Sequence, residues 1–450
     1  MKTNIYENKS LAKLLFIFGI PSILALMMEM LTGIVDAAFA GNLPGIGSSA
    51  LSAMALISPL LGIFTALQTL FAMSTGVLIA KYLNTPKQRS ISYATGVLMS
   101  AVVSFSTSLI CYFTLPQILS ALGAKGEIFL LAKEYIKIQL LSNIVSSVGY
   151  TLTCCIRAFG FPKVEVKIIT VAVAVNICFN YIFAFLFKMG IAGLAWGTFV
   201  SELVCAFCSV VFLVKKKLWI EKSSASAMDF FCSAWELFKI GISQTVIQAL
   251  GGCTGFVINE RLLALGSISH VAAWSVVQRI YTFILIPIVG LTQGVQSIIS
   301  YFCGTGNTAN IKKISKHTML LCGGYGFTAL LAVNFFGQNM AAFFGGNDEI
   351  IALANIILLI AFLGFPFVGI LYTQTTLLQV TNHELASILL ILSRQVFFLI
   401  PLIYVVPYLI SFCSCNISPI MALFFCMPMA DILSILFAVI VKRKIKRQAL

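Results

Sequence analysis

Twelve long apolar runs separated by short polar connections constrain this chain more than any single motif. A helix needs about 20 apolar residues to cross the hydrocarbon core of a bilayer. Runs of that kind occupy approximately 12–40, 50–80, 90–114, 127–154, 164–187, 191–214, 236–264, 270–301, 314–337, 349–378, 384–410 and 417–441. The expected fold class is therefore an all-α integral membrane protein with twelve transmembrane helices. Composition agrees: 60% of residues are hydrophobic and 10% charged, against about 45–50% and about 25% in soluble domains. Several runs exceed the minimum length, which predicts tilt or kinks, with Pro59, Pro287 and Pro366 as candidate kink sites.

The net charge of +14 does not indicate a nucleic-acid partner, because the basic residues fall between apolar runs instead of on one basic face with interleaved aromatics. They report topology. Lys2, Lys9 and Lys13 precede the first run, Arg157, Lys163, Lys215 to Lys217, Lys312, Lys313 and Lys316 recur on the same side, and Lys442 to Arg447 end the chain. The opposite connections hold only Lys125 and Lys188. The positive-inside rule then places both termini in the cytoplasm of a multi-pass cell-membrane protein. The first run follows MKTNIYENKSLAKLL with no small-residue cleavage site, so an uncleaved first span is expected. Most of the thirteen cysteines, Cys253 and Cys426 among them, sit in apolar runs as small hydrophobes. Cys154 with Cys155 and Cys413 with Cys415 are too closely spaced for a disulfide framework, and no paired CxxC suggests zinc.

The least apolar interior stretch, Lys215 to Glu236, divides the chain nearly in half. It separates an N-lobe at 1–214, with spans one to six, from a C-lobe at 236–441, with spans seven to twelve; 215–235 is a cytoplasmic linker and 442–450 a basic tail. A shift of 222 residues sets Gly19 and Ile20 on Gly241 and Ile242, Thr32 and Gly33 on Thr254 and Gly255, and Thr151 and Thr153 on Thr373 and Thr375. Two six-helix repeats that both start inside are related by a pseudo-twofold axis along the membrane normal and enclose a central cavity.

Polar residues within the spans are the candidate working groups. Glu29, Thr32, Gly33 and Asp36 fall at i, i+3, i+4 and i+7, one narrow stripe on a helix. An acid at bilayer depth marks either an ion or substrate path or a hydrogen-bonded structural acid. Span seven repeats the pattern with Gln244, Gln248, Gly251, Gly255 and Asn259, and ends in Glu260, which either lines a cavity or follows Arg261 to the interface. Span five carries Asn176 and Asn180 at i and i+4, and span six carries Thr198. Their oxygens suit a proton relay or a sodium ion; the alternative is interhelical hydrogen bonding worth about 1 kcal/mol. Glu202, Arg279, Arg394 and Asp431 are further embedded charges whose partners are not legible.

Phosphate chemistry has no support, since GxxxxGK[ST] is absent. Three histidines near span ends do not make a triad. The chain reads as a non-enzyme without cofactor, driven by an ion gradient or by a separate subunit.

These residues resemble the multidrug and toxic compound extrusion (MATE) transporters of bacteria over nearly the whole chain. The resemblance rests on the proline-led first span ending in Asp36, on AGNLPGIGSSALSAMALISP, RAFGFPK, NICFNYIF with MGIAGLAWGT, PIVGLTQGVQSIISYFCG, and SRQVFFLIPLIYVV. It implies two six-helix bundles facing a central cleft, and export of amphipathic, often cationic organic compounds against an inward H+ or Na+ gradient. By position Asp36 matches the family's first-helix acid, Asn176 its span-five asparagine and Thr198 its span-six threonine. Asn180 stands where the family often has aspartate, so this site has one carboxylate fewer. Glu260 resembles a glutamate of the sodium-coupled branch, whose partner aspartate in span ten is missing from GFPFVGILYTQTTLLQV.

The expectation is thus a monomeric secondary-active multidrug exporter working by cation antiport and alternating access. Asp36, Asn176, Asn180 and Thr198 handle the coupling cation, Glu260 is a C-lobe candidate, and Glu29, Gln244, Gln248, Asn259 and Arg279 line the cavity. Two alternatives stand beside it: a flippase for a lipid-linked oligosaccharide of the same superfamily, and a scaffold or receptor without transport. Twelve spans instead of about fourteen, and acids as well as arginines, weigh against the first; the duplicated polar stripes weigh against the second.

Overall fold

The computed structural model describes residues 5–219, 226–343, 347–412 and 418–448. Lys2, Lys222, Cys413 and Cys415 lie outside the described residues, as do the side chains of Gly251, Cys253, Lys446 and Arg447. Every regular element among the described residues is helical. A short α1 (Ile5–Asn8) precedes α2 (Leu11–Gly41), α3 (Gly47–Lys81), α4 (Pro86–Ala121), α5 (Gly126–Ala158), α6 (Pro162–Tyr181) and α7 (Gly190–Lys215). The second half contains α8 (Ala227–Leu265), α9 (Ile268–Gly304), α10 (Thr308–Phe343), α11 (Asp348–Phe362), α12 (Phe365–Val380), α13 (Glu384–Leu392), α14 (Ile400–Phe412) and α15 (Pro419–Gln448).

Among the described residues nine helices are long and apolar enough to cross a membrane, and the pair α11 and α12 makes a tenth. The 33-residue α5 and 39-residue α8 have the length as well. The polar character of α5 comes from Ser142, Asn143, Ser147, Thr151 and Thr153, all buried. The twelve expected spans therefore correspond to α2 to α7, α8 to α10, α11 with α12, α13 with α14, and α15.

Three spans depart from a plain helix. The tenth bends by 50° between α11 and α12, where Pro366 opens α12 and cannot donate to the preceding turn. The fifth continues from α6 into a π-helical turn, Ile182–Leu186, and the eleventh carries another, Ser393–Leu399, between α13 and α14. Pro59 and Pro287, the other candidate kinks, lie inside the continuous helices α3 and α9.

Two compact units emerge: residues 1–245 with 300–308, and residues 246–299 with 309–450. In the first, α5 packs on α3, α4 and α7, and α6 lies on α2 and α7. Ile57, Leu60, Leu115, Ile136 and Leu194 fill one end. Ile79, Leu152, Ile156, Ile168 and Leu213 fill the other. Between helices the packing is tied by Asn143, which donates to Ser108 Oγ at 2.9 Å and to the Ser104 carbonyl at 3.2 Å. The unit also takes in the start of α8 and the end of α9. Lys81 pairs with Glu236 at 2.9 Å, and Tyr6 stacks on Tyr301 with ring centroids 4.5 Å apart.

The second unit packs around Trp274, Val277, Phe362, Phe365, Leu423 and Phe424. Large apolar side chains such as Phe105, Ile110, Phe113, Phe207, Phe335 and Leu436 are exposed on the helices. In an apolar solvent that is the stable arrangement, because lipid tails are as apolar as leucine.

Candidate coupling-ion site

Four residues expected to act together are joined by hydrogen bonds inside the first unit. Asn180 on α6 donates its amide to Asp36 Oδ1 on α2 at 2.5 Å and to Asn176 Oδ1, one turn back on its own helix, at 3.1 Å. Asn176 donates to Thr198 Oγ1 on α7 at 3.3 Å. Thr198 in turn donates to the Leu194 carbonyl at 3.1 Å. Asn176 and Asn180 are 1% and 0% exposed, so every unmade bond here costs desolvation. Tyr135 of α5 is close enough for the charge of Asp36 to act on its hydroxyl, which accepts from Gln139 at 3.1 Å.

Local sequence explains the closeness of α6 and α7. A Cβ at Gly197 would stand 2.0 Å from Asn180 Oδ1, and one at Gly193 2.5 Å from the Ala184 nitrogen. Only residues without a side chain permit that approach. Ala184 itself lies in the π-helical turn that follows Asn180. Asn180 Oδ1 is buried with no hydrogen-bond partner. A carboxylate, two amide oxygens and a hydroxyl thus converge, a set of hard oxygen donors suited to a proton or a sodium ion. The spacing of Asn176 and Asn180 signalled the site; Gly193 and Gly197 were visible only as small residues, their role depending on what they face.

Glu29 lies on the same face of α2 as Asp36, seven residues earlier. It is exposed and makes no hydrogen bond or ion pair among the described residues. Its electrostatic neighbours are Glu165 on α6, Glu202 on α7 and Arg157 on α5. Arg157 Nη1 pairs with Glu165 Oε1 at 3.1 Å, with both side chains almost wholly buried. In the sequence Arg157 belongs to the topology signal and Glu165 carries none of its own. An arginine and a glutamate eight residues apart across a Gly-Phe-Pro turn were the available clue.

The second unit arranges its charges differently. Tyr404 donates to Glu260 Oε2 at 3.2 Å, and the Arg261 guanidinium lies over the Tyr404 ring at 4.2 Å, so one aromatic joins both neighbours. Gln248, Asn259 and Arg279 are exposed. Arg279 makes no hydrogen bond or ion pair among the described residues and is not brought to Glu260. Gln244 belongs to the first unit. Arg394, in the π-helical turn of span eleven, pairs through Nε with Asp431 Oδ1 at 2.6 Å and donates from Nη2 to the Tyr281 hydroxyl at 3.0 Å.

The family model for MatE matches residues 21–182 and 248–405 of the sequence, one stretch in each half. The chain belongs to the MatE family. Among curated relatives, it is 26% identical over 404 residues to the multidrug export protein MepA of Staphylococcus aureus strain MSSA476, covering 89% of this chain and 88% of that protein. MepA of Staphylococcus saprophyticus is 26% identical over 407 residues. Among solved structures, the Vibrio cholerae MATE transporter VcmN in its bent form superposes with a TM-score of 0.88 at 19% identity, covering 97% of each chain. An outward-facing multidrug resistance MATE family transporter gives 0.89 at 15% identity, over 99% of this chain and 98% of the other. These likenesses show the fold: an all-helical membrane protein with many spans, as MatE members have.

Proposed function

We propose that this MatE-family chain is a secondary-active multidrug exporter, an antiporter that moves amphipathic organic cations out of the cell against an inward flow of H+ or Na+. The observation that carries the reading is the hydrogen-bonded chain from half-buried Asp36 through buried Asn180 and Asn176 to half-buried Thr198. A single carboxylate is held there by neutral donors, with no lysine or arginine in hydrogen-bonding contact among the described residues. A carboxylate without a fixed counter-charge at bilayer depth is the arrangement that takes up and releases a cation. The relatives named for multidrug export support the direction and breadth of transport.

The mechanism follows from that chemistry. With cation bound, Asp36 is neutral and α2 packs against α6 without the cost of a buried charge. Without cation the charge must be solvated or repaid by the Asn180 amide, and the helix packing that favours one state loses part of its advantage. A cation drives alternating access only through such a difference in affinity between two states. Both termini are assigned to the cytoplasm by the distribution of lysine and arginine, the working unit is one chain, and no cofactor takes part.

The test is ethidium export from proteoliposomes under an imposed proton gradient and, separately, an imposed sodium gradient. Wild-type protein is expected to respond to one of the two, and Asp36→Asn to neither. Undiminished gradient-driven export by Asp36→Asn would overturn the assignment.

A further inference from the structure

A second group of ionisable side chains lies in the first unit beyond the hydrogen-bonded site. Glu29 faces Glu165 from α6, Glu202 and Cys205 from α7, and Arg157, Tyr150 and Cys154 from α5. Two carboxyl groups, Glu29 and Glu165, thus lie in the field of one guanidinium, while Glu202 lies in the field of Glu29 alone. Arg157 is committed to Glu165 at 3.1 Å. Glu202, like Glu29, makes no hydrogen bond or ion pair among the described residues.

Two further atoms point to a missing proton or donor. Glu165 is 1% exposed, yet its Oε2 has no hydrogen-bond partner; Ser22, also 1% exposed, has none for its hydroxyl. Ser22, Glu29 and Asp36 are spaced by seven residues on α2, close to two helical turns, so they share one face. Along that face the rise from Asp36 to Glu29 is about 10 Å. Thr32 lies between them and donates to the Met28 carbonyl at 3.1 Å, leaving its oxygen lone pairs for water.

We infer that Glu29, with Glu165, Glu202 and Arg157 around it, is a second proton-binding site of this unit and the group that exchanges protons between Asp36 and water. The inference rests on the reading of Asp36 as the coupling acid, with the proton as the coupling cation. The step balances simply. The proton leaves the Asp36 carboxyl for a chain of waters passing Thr32, and the last water of that chain releases one to the Glu29 carboxylate. Glu29, being exposed, returns it to bulk water, and Asp36 is left ionised. The buried Arg157–Glu165 pair contributes no net charge when ionised and fixes the field at Glu29. A proton relay needs an exposed acid joined by a chain of waters to a less exposed one, and α2 places both on one face.

The experiment uses full-length protein in proteoliposomes with ethidium as the probe. Glu29→Gln is expected to lower proton-gradient-driven export about tenfold or more, the scale of losing a positioned proton-transfer group. Ethidium binding in detergent and ethidium–ethidium exchange at equal pH should be retained. Glu29→Asp, which keeps the carboxyl one methylene shorter, should recover export in part and shift its pH profile. Wild-type export and an unchanged pH profile in Glu29→Gln would overturn the inference while leaving Asp36 in its role. Export that responds to sodium and not to protons would overturn it and leave cation coupling standing. Loss of ethidium binding in both Glu29 variants would make Glu29 a structural acid and equally overturn it.

Discussion

Asn180 and Asp36 lie 144 positions apart in sequence, and the amide of one donates to the carboxylate of the other at 2.5 Å. The bond ties α6 to α2 at the one point where α7, through Gly197, also presses on Asn180. Asn180→Ala should leave Asp36 without its donor. The cost of an unmet buried acceptor is about 1–3 kcal/mol, more when it is charged. Gradient-driven ethidium export by this variant is expected to fall well below wild type, with ethidium binding retained. The comparison of transport with binding on one preparation checks it.

Gly197→Ala tests the packing behind that contact. The added Cβ would meet Asn180 Oδ1 at 2.0 Å and the Asn180 backbone nitrogen at 2.7 Å. Part of the relief must come from backbone, because a side-chain rotation moves only the first atom. Overpacking of this kind costs about 1–3 kcal/mol. A lower unfolding temperature in detergent is expected, together with reduced coupling. By contrast, Gly33→Ala, with nothing within 4 Å of the added Cβ, should leave the unfolding temperature nearly unchanged.

The spans were legible because bilayer thickness imposes one length on every apolar run. Asn176 and Asn180 stand out in the sequence as two amides one turn apart in an otherwise apolar helix, a spacing that suits interhelical hydrogen bonding as well as an ion site. What could not be read was rotational phase. In a soluble helix the apolar face points inward, but here lipid and protein interior are equally apolar, so periodicity does not say which side Asp431 or Glu202 faces. The partners Arg394 and Asp431 were therefore seen as separate charges. Glu165 was missed for a different reason: its contact to Arg157 is set by the turn through Phe159, Gly160 and Phe161, with Gly160 at φ +94°, and not by helix spacing.

Acid should loosen the start of α8. Ser226 and Asp229 cap each other there: the Asp229 amide donates to Ser226 Oγ at 3.2 Å, and the Ser226 amide donates to Asp229 Oδ2 at 3.0 Å. That backbone donor, followed by the charge of Lys87, lowers the Asp229 carboxyl below its ordinary value of 3.8. A lowered carboxyl stabilises the cap above its unfolded value and loses that contribution as pH falls through the folded value. Amide protection at 227–230 is expected to drop below about pH 4 in wild type. In Asp229→Asn it should be lower at neutral pH and no longer respond to acid, as hydrogen exchange corrected for intrinsic rates would show.

Arg394 and Asp431 form the clearest structural ion pair of the second unit. Asp431 is 3% exposed, and Arg394 shares its guanidinium between Asp431 and the Tyr281 hydroxyl. Gly364, at the bend of span ten, lies so close that a Cβ there would stand 2.3 Å from Asp431 Oδ2. The pair therefore holds span eleven to span twelve beside the hinge of span ten. Removing one partner strands a buried charge, which costs about 3–5 kcal/mol, whereas replacing both by apolar groups of similar size is often neutral. Asp431→Leu should lower the unfolding temperature in detergent sharply. The double variant Arg394→Met with Asp431→Leu should recover most of that loss. If the double variant is as unstable as the single, the pair's directed hydrogen bonds, including the one to Tyr281, set the packing of these spans rather than its charge balance.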